Sequence, residues 1–336
     1  MIRWNVYVTN EIPEQALDML AEYCDIEVNR TGQVLTKPQL LEKVKGRDAV
    51  LSLLTDPIDA EVMDAAKGVK IFANYAVGYN NIDIPSATER GVMVSNTPGV
   101  LTDTTAEMAW AFLFSVARRV VESDKYTRMG KFEGWGPMLF LGQDVIHKTV
   151  GVIGAGRIGL SFAKRAKAFD MTVLYTDVAS KPQFEQETGG QYVSLETLLK
   201  KSDFVSIHTP LLPETFHLIG EKELKLMKNK AILINTSRGP IVDELALVKA
   251  LQSGEIWGAG LDVYEFEPEL VEGLKELDNV ILCPHIASAT LDTRTKMGTI
   301  AVSNILAAMR GEFPPNCLNP EVYKEQITKI KPYSLF

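Results

Sequence analysis

The stretch Gly154-Ala155-Gly156-Arg157-Ile158-Gly159 decides the fold, through what stands on either side of it. Before it, Lys148-Thr-Val-Gly-Val-Ile153 has the apolar, β-branched character of a buried parallel strand. After it, Leu160-Ser-Phe-Ala-Lys-Arg-Ala-Lys-Ala-Phe169 reads as an amphipathic helix, and Met171-Thr-Val-Leu-Tyr-Thr176 as a second strand closed by Asp177. In such a unit the first glycine permits a tight turn, the second lets a pyrophosphate approach the backbone, and the third lets helix and strand pack closely. The phosphates then rest on the amides at the helix N-terminus. Asp177 stands about 20 residues past the fingerprint, where a carboxylate accepts hydrogen bonds from the adenosine ribose. Glycines alone could serve turns for backbone reasons. Strand, helix, second strand and terminal acid in register imply a dinucleotide, and the acid implies NAD.

At 336 residues the chain has room for two domains. Hydrophobic content of 46% with 23% charged residues matches a globular protein with a substantial core. A net charge of −8 without a long basic run argues against nucleic acid or an anionic membrane as the main partner. The longest apolar stretch, Ala109 to Ala117, is too short to span a bilayer. The start, Met1-Ile-Arg-Trp-Asn-Val6, has no signal-peptide character. Cys24, Cys283 and Cys317 fit neither a disulfide framework nor a zinc motif, so no metal site and a cytoplasmic location are expected.

Strand–helix alternation appears twice, the pattern of open parallel α/β sheets. In the first part, strand-like runs at Asn5–Val8, Ala49–Leu53, Lys70–Ala73 and Val92–Ser95 alternate with helix-like runs near Glu14–Glu22, Pro38–Lys45 and Ala60–Ala66. The second part begins at Lys148 and continues with strands at Phe204–Ile207, Ala231–Asn235, Gly258–Val263 and Val280–Cys283. Between them one long helix, roughly Asp103 to Arg128, is expected to carry the chain from one sheet to the other. A last helix, about Asp292 to Arg310, is free to pack back on the first domain. The expected architecture is two doubly wound parallel-sheet domains with a ligand cleft between them.

A dinucleotide fold does not name a reaction. Ligands of open α/β sheets gather outside the carboxyl ends of the strands. Just after the strands of the second part stand Arg238, Asp262, Glu267 and His285. Hydride transfer to a 2-oxo acid needs such a set. A guanidinium can fork onto the carboxylate and polarise the carbonyl. A histidine can deliver a proton, and a carboxylate beside it would orient the imidazole and favour its protonated form. Taken singly, His285 could be a structural imidazole, Arg238 a loop cap and Glu267 a solvated acid among Glu265 and Glu269. Their joint placement favours chemistry. His208 reads as a loop residue beside the adenosine half, His147 and His217 have no supporting context, and Trp135 reads as a packing aromatic.

Asn235-Thr-Ser-Arg-Gly239, Gly260-Leu-Asp-Val263 with Glu267, and Pro284-His-Ile-Ala-Ser288 resemble the successive signatures of the D-isomer-specific 2-hydroxyacid dehydrogenases. The resemblance extends over nearly the whole chain, through Asn96-Thr-Pro-Gly-Val-Leu-Thr-Asp103 and Thr105-Ala-Glu107. It implies a flavodoxin-like substrate domain from residues 1–101 and 288–336, with a Rossmann NAD-binding domain, 102–287, between. By resemblance Arg238, Glu267 and His285 are the substrate-binding arginine and the acid–base pair. The resemblance likewise implies that the amides of Val77 and Gly78, with Leu53 nearby, hold the substrate. Gly154, Gly156, Arg157, Ile158, Gly159, Asp177, Thr105, Thr209, Pro210, Thr236 and Asp262 are then expected to hold NAD. Asn80 departs from the aspartate common in the family at that position.

Leu53-Leu-Thr-Asp56 and Gly134-Trp-Gly-Pro-Met-Leu-Phe-Leu-Gly142 are most similar to glyoxylate and hydroxypyruvate reductases, which implies a homodimer with the Trp135 loop reaching toward the neighbouring subunit. Val77 stands where phosphite dehydrogenase, a related alternative, carries a lysine. Lactate and phosphoglycerate are other substrates the family takes. Many glyoxylate reductases prefer NADPH and lack an acid like Asp177, although Lys181 or Ser180 could serve a 2′-phosphate here. A different class of function, a dinucleotide-sensing binding protein of the co-repressor type, shares the fold and the three residues. Such scaffolds often carry a long disordered tail, whereas this sequence ends Lys331-Pro-Tyr-Ser-Leu-Phe336.

Overall fold

A computed structural model describes residues 3–324, so the tail Lys331–Phe336 lies outside the described residues. The chain forms two compact units: one from the chain through Leu101 together with the chain from Ala289 onward, the other from Thr102–Ser288. The second boundary falls one residue beyond the expected 287/288.

In the first unit β1 (Asn5–Val8), β2 (Asp25–Val28), β3 (Ala49–Ser52), β4 (Ile71–Asn74) and β5 (Met93–Ser95) make a parallel sheet of order β2-β1-β3-β4-β5, the flavodoxin-like order. Its faces divide by strand alternation: Val6, Val8, Ala49, Leu51, Ile71 and Ala73 enter one core, Val50, Phe72 and Val94 the other. Helix Leu291–Met309 completes the first of these cores with Met297, Val302 and Ile305, as the sequence suggested for the last helix.

The second unit is a seven-stranded parallel sheet of β6 (Thr149–Ile153), β7 (Thr172–Thr176), β8 (Gln191–Tyr192), β9 (Phe204–Ile207), β10 (Ile232–Asn235), β11 (Gly258–Leu261) and β12 (Val280–Leu282). Its order, β12-β11-β10-β9-β6-β7-β8, is the Rossmann order, reversing direction between β6 and β9. Both faces are buried, so the strands read as continuous apolar runs. Val150, Val152, Phe204, Ile232 and Ile234 face one core, and Val205, Ile207, Leu233 and Ala259 the other. Two doubly wound parallel sheets were expected and are found.

The expected continuous helix from Asp103 to Arg128 is two helices, Thr102–Ala117 and Val120–Arg128. Arg119 adopts a left-handed conformation (φ 54°) between them. The returning chain ends the first helix, since the Gln143 amide donates to the Ala117 carbonyl at 2.8 Å. The Arg119 guanidinium is held by Glu122 at 2.7 Å and lies over the Phe140 ring. The first helix packs within the second unit, against helix Arg157–Ala166 and β11, and so belongs to that unit's core. Among the described residues, no helix is long and apolar enough to cross a membrane, and no cluster of His, Cys, Asp or Glu could hold a metal.

Candidate active site

The dinucleotide fingerprint folds as its sequence requires. Gly154 ends β6 with φ +96°, and a Cβ there would lie 2.7 Å from the Thr209 nitrogen and 2.8 Å from the His208 carbonyl carbon. Only glycine fits. A Cβ on Gly159 would lie 2.1 Å from the Gly154 oxygen, so helix and turn pack as closely as the third glycine predicts. Gly156 caps helix Arg157–Ala166, and no atom lies within 4 Å of where its Cβ would be. The first-turn amides, at Arg157, Ile158 and Gly159, have no acceptor within the helix. Asp177 follows β7, and its two oxygens accept from the Ala155 and Val178 amides at 2.9 and 2.7 Å. Lys181 Nζ lies 3.6 Å from the same carboxylate. An open turn, unpaired helix amides and an acid tied to the glycine loop fit a bound dinucleotide.

Thr209 and Pro210 follow β9, Thr236 follows β10 and Asp262 follows β11, all at the carboxyl edge of the sheet. The Ser237 hydroxyl donates to the Thr209 carbonyl and ties two of these loops. The Thr236 hydroxyl is buried with no partner among the described residues. Thr105 is buried on helix Thr102–Ala117.

Arg238, Glu267 and His285 come together in this unit from three strand ends. Gly239 makes that possible: a Cβ there would lie 1.8 Å from the Tyr264 carbonyl carbon and 2.3 Å from the Glu265 nitrogen. The Arg238 turn therefore presses on the backbone that leads to Glu267. One Glu267 oxygen accepts from the Tyr264 amide at 2.9 Å, and the other pairs with His285 Nδ1 at 3.0 Å. His285 itself is left-handed (φ 54°), a conformation that costs a non-glycine residue about 1–3 kcal/mol and clusters at functional sites. What holds it there is Asp262, fully buried, whose oxygens accept from the Ile286 and Ala287 amides at 2.8 and 2.7 Å.

Burial pushes the Glu267 carboxyl up, but the His285 hydrogen bond and charge, the Tyr264 amide and Arg238 outweigh it and hold it below the ordinary value. Burial lowers the Arg238 pKa, which Glu267 partly offsets, and the guanidinium remains a cation. With Nδ1 committed to Glu267, Nε2 is the nitrogen left for a substrate oxygen.

The other histidines divide. His208 bonds the Ser206 hydroxyl at 2.9 Å and packs on Phe162, and burial alone drives its pKa down to about 3, so it stays neutral. His217, which has no context in the sequence, pairs with Glu265 at 2.7 Å. That contact joins residues far apart in the chain, and no local signal announces it. Trp135 is 86% exposed, so it is not a packing aromatic within its own chain.

Leu53, Val77 and Gly78 lie in the first unit, on the loops after β3 and β4. The Leu53 amide donates to Asp56 at 2.7 Å, and Asn81 donates to the Leu53 and Asp56 carbonyls. Asn96 donates to the Val77 carbonyl at 2.8 Å and Asn74 to the Gly78 carbonyl at 3.0 Å. In a trans peptide the carbonyl and the following amide point in opposite directions. Gripping the Val77 oxygen thus turns the Gly78 amide away from Asn96.

A dinucleotide turn with an acid-paired histidine and an arginine at the same sheet edge is the arrangement a nicotinamide-dependent oxidoreductase requires. Residues 110–287 match the profile of the D-isomer specific 2-hydroxyacid dehydrogenase, NAD binding domain. A protein of Korarchaeum cryptofilum (strain OPF8) named glyoxylate reductase is 52% identical over 95% of this chain and 97% of its own. A solved protein of Thermus thermophilus shares 47% identity over 94% and 99% of the two chains, with a TM-score of 0.89. An NADPH-dependent glyoxylate/hydroxypyruvate reductase from Sinorhizobium meliloti, solved with NADP and malonate, is 30% identical over 95% and 98%, with a TM-score of 0.83. The chain belongs to the D-isomer specific 2-hydroxyacid dehydrogenase family, as its signatures suggested.

Proposed function

We propose that the protein is an NADH-linked reductase of glyoxylate or hydroxypyruvate, small 2-oxo acids that it converts to 2-hydroxy acids, of D configuration where the carbon is chiral. The observation that carries this is the 3.0 Å Glu267–His285 pair beside the Arg238 turn, and the names of the relatives support the substrate. Bound nicotinamide supplies the hydride. Arg238 holds the substrate carboxylate and polarises the carbonyl, with a fork geometry lysine lacks. His285 Nε2 gives a proton to the carbonyl oxygen, while Glu267 steadies the imidazolium. The Val77 and Gly78 amides share the carboxylate, and Leu53 borders the substrate. Gly154, Gly156, Arg157, Ile158, Gly159 and Asp177 hold the adenosine and phosphate end, with Thr209 and Pro210 beside them. Thr105, Thr236 and Asp262 serve the rest of the cofactor.

Asp177 supports NADH over NADPH, since a 2′-phosphate would meet its charge. We read the molecule as a cytoplasmic homodimer with no nucleic-acid or membrane partner. The exposed run of Met129, Phe132, Trp135 and Met138 supports an interface, and three free cysteines fit a reducing compartment. Initial rates of NADH oxidation with glyoxylate, hydroxypyruvate and longer 2-oxo acids test the function. No turnover of the two small acids would overturn it and revive the co-repressor class.

A further inference from the structure

Three titratable side chains outside the reacting set lie behind the Glu267 loop. Glu244 opens helix Glu244–Gln252 and is almost entirely buried. Its Oε1 accepts from the Glu265 amide at 2.8 Å, and its own amide donates back to Glu265 Oε2 at 3.4 Å. Glu265 Oε1 meets His217 Nε2 at 2.7 Å, and the His217 amide is fixed to the Pro240 carbonyl at 2.8 Å. A buried glutamate is costly, and its second oxygen has no partner among the described residues, so its burial calls for an explanation.

The loop it grips is the one that carries Glu267. Glu265 and Glu267 are two residues apart, Gly239 presses on the Tyr264–Glu265 backbone, and Tyr264 donates its amide to Glu267. We propose that Glu244 is a positioning residue for the acid–base pair, clamping the Tyr264–Glu267 turn through the Glu265 amide, with the Glu265–His217 contact bracing the other side. The titratable groups that act electrostatically on Glu244 are the Glu265 and Glu267 carboxylates, and Glu244 in turn acts on the Tyr264 hydroxyl. Burial first, then the charges of Glu265 and Glu267, raise the Glu244 pKa to about 7 against the pull of the Glu265 amide. A neutral side chain with the same acceptor can therefore stand in for it.

This inference rests on the acid–base reading of Glu267 and His285, and the experiment separates the two. Glu244→Ala and Glu244→Gln are compared with wild type in kcat, KM for glyoxylate, NADH binding by fluorescence, and the pH profile of reduction. Glu244→Ala should lower kcat about tenfold, leave KM and NADH affinity within about twofold, and move the fall of rate to lower pH. Glu244→Gln should recover most of the rate and the wild-type profile. Unchanged kcat and profile in Glu244→Ala, or a glutamine variant as impaired as the alanine one, would overturn the proposal. Should the alanine variant not fold, His217→Phe carries the same test with a smaller expected loss of about threefold in kcat and the same direction of pH shift; a kcat and profile unchanged there would overturn it equally. Near-normal turnover of Glu267→Gln and His285→Ala, run alongside, would instead remove the acid–base reading beneath it.

Discussion

At the scale of single residues, the chemistry was legible where a side chain follows a strand of the cofactor sheet. Arg238, Glu267 and His285 could be picked out because a parallel sheet delivers every strand's carboxyl end to one edge. Glu244, Glu265 and His217 could not, because their contacts cross long stretches of sequence and none carries a motif. His208 shows the limit from the other side: it also follows a strand, yet burial keeps it neutral, with a pKa of about 3. On the proposed mechanism, proton delivery is assigned to His285. His285→Ala should lower kcat by roughly 10²–10⁴ while NADH binding, by fluorescence titration, stays near wild type. A kcat close to wild type would take the role away from this residue. Glu267→Gln keeps a hydrogen-bond partner for His285 Nδ1 but withdraws the negative charge beside it. On the proposed mechanism reduction draws its proton from His285, so the rate should begin to fall at lower pH in the variant. A superimposable pH–rate profile would show that the pair seen at 3.0 Å does not act in turnover.

Among the elements, the buried strands were readable and the edges were not. β1 and β9 fall where the apolar runs place them, whereas β2, written Asp25-Ile-Glu-Val28, alternates acid with apolar and lies at a sheet edge. β8 is two exposed residues, too short for any periodic signal. The break at Arg119 was hidden because the reason for it, the Gln143 amide on the Ala117 carbonyl, arrives from a later segment. The β6–helix–β7 unit, by contrast, was legible down to its terminal acid. That acid is tied to the Ala155 and Val178 amides with Lys181 at 3.6 Å, so its charge is partly countered. On the proposed reading a 2′-phosphate would face the Asp177 carboxylate, so kcat/KM should be higher with NADH than with NADPH. Asp177→Ala should narrow that gap, chiefly by improving NADPH. Wild-type preference for NADPH contradicts the assignment, and a variant that gains nothing with NADPH moves the discrimination to another residue.

At the scale of the whole molecule, the double alternation of strands and helices was enough to predict two doubly wound sheets, because each parallel strand needs its own crossover. Assembly is less visible in a sequence, since the apolar residues that serve an interface look like core. Trp135 at 86% and Met138 at 76% exposed are surface in the single chain, so on the proposed homodimer Trp135→Asp with Met138→Asp should shift light-scattering mass from two chains to one. A mass of one chain in the wild type would remove the dimer. Stability against pH tests the interior in the same global way. The folded-state pKa of Glu244, about 7, lies above its ordinary 4.5, so the native state holds this proton more tightly than the unfolded chain does. The stability that results is fully present below about 4.5 and is lost as pH rises through about 7, then levels off. Glu267 works in the opposite sense, its depressed carboxyl giving stability that is lost as pH falls through the acid range. Glu244→Gln carries no such proton and should gain on wild type between about pH 4.5 and 7 in urea unfolding, with a constant difference above that. Parallel curves across the whole range would mean that Glu244 titrates alike in the folded and unfolded chain. The buried carboxyl would then impose no such pH dependence on the fold.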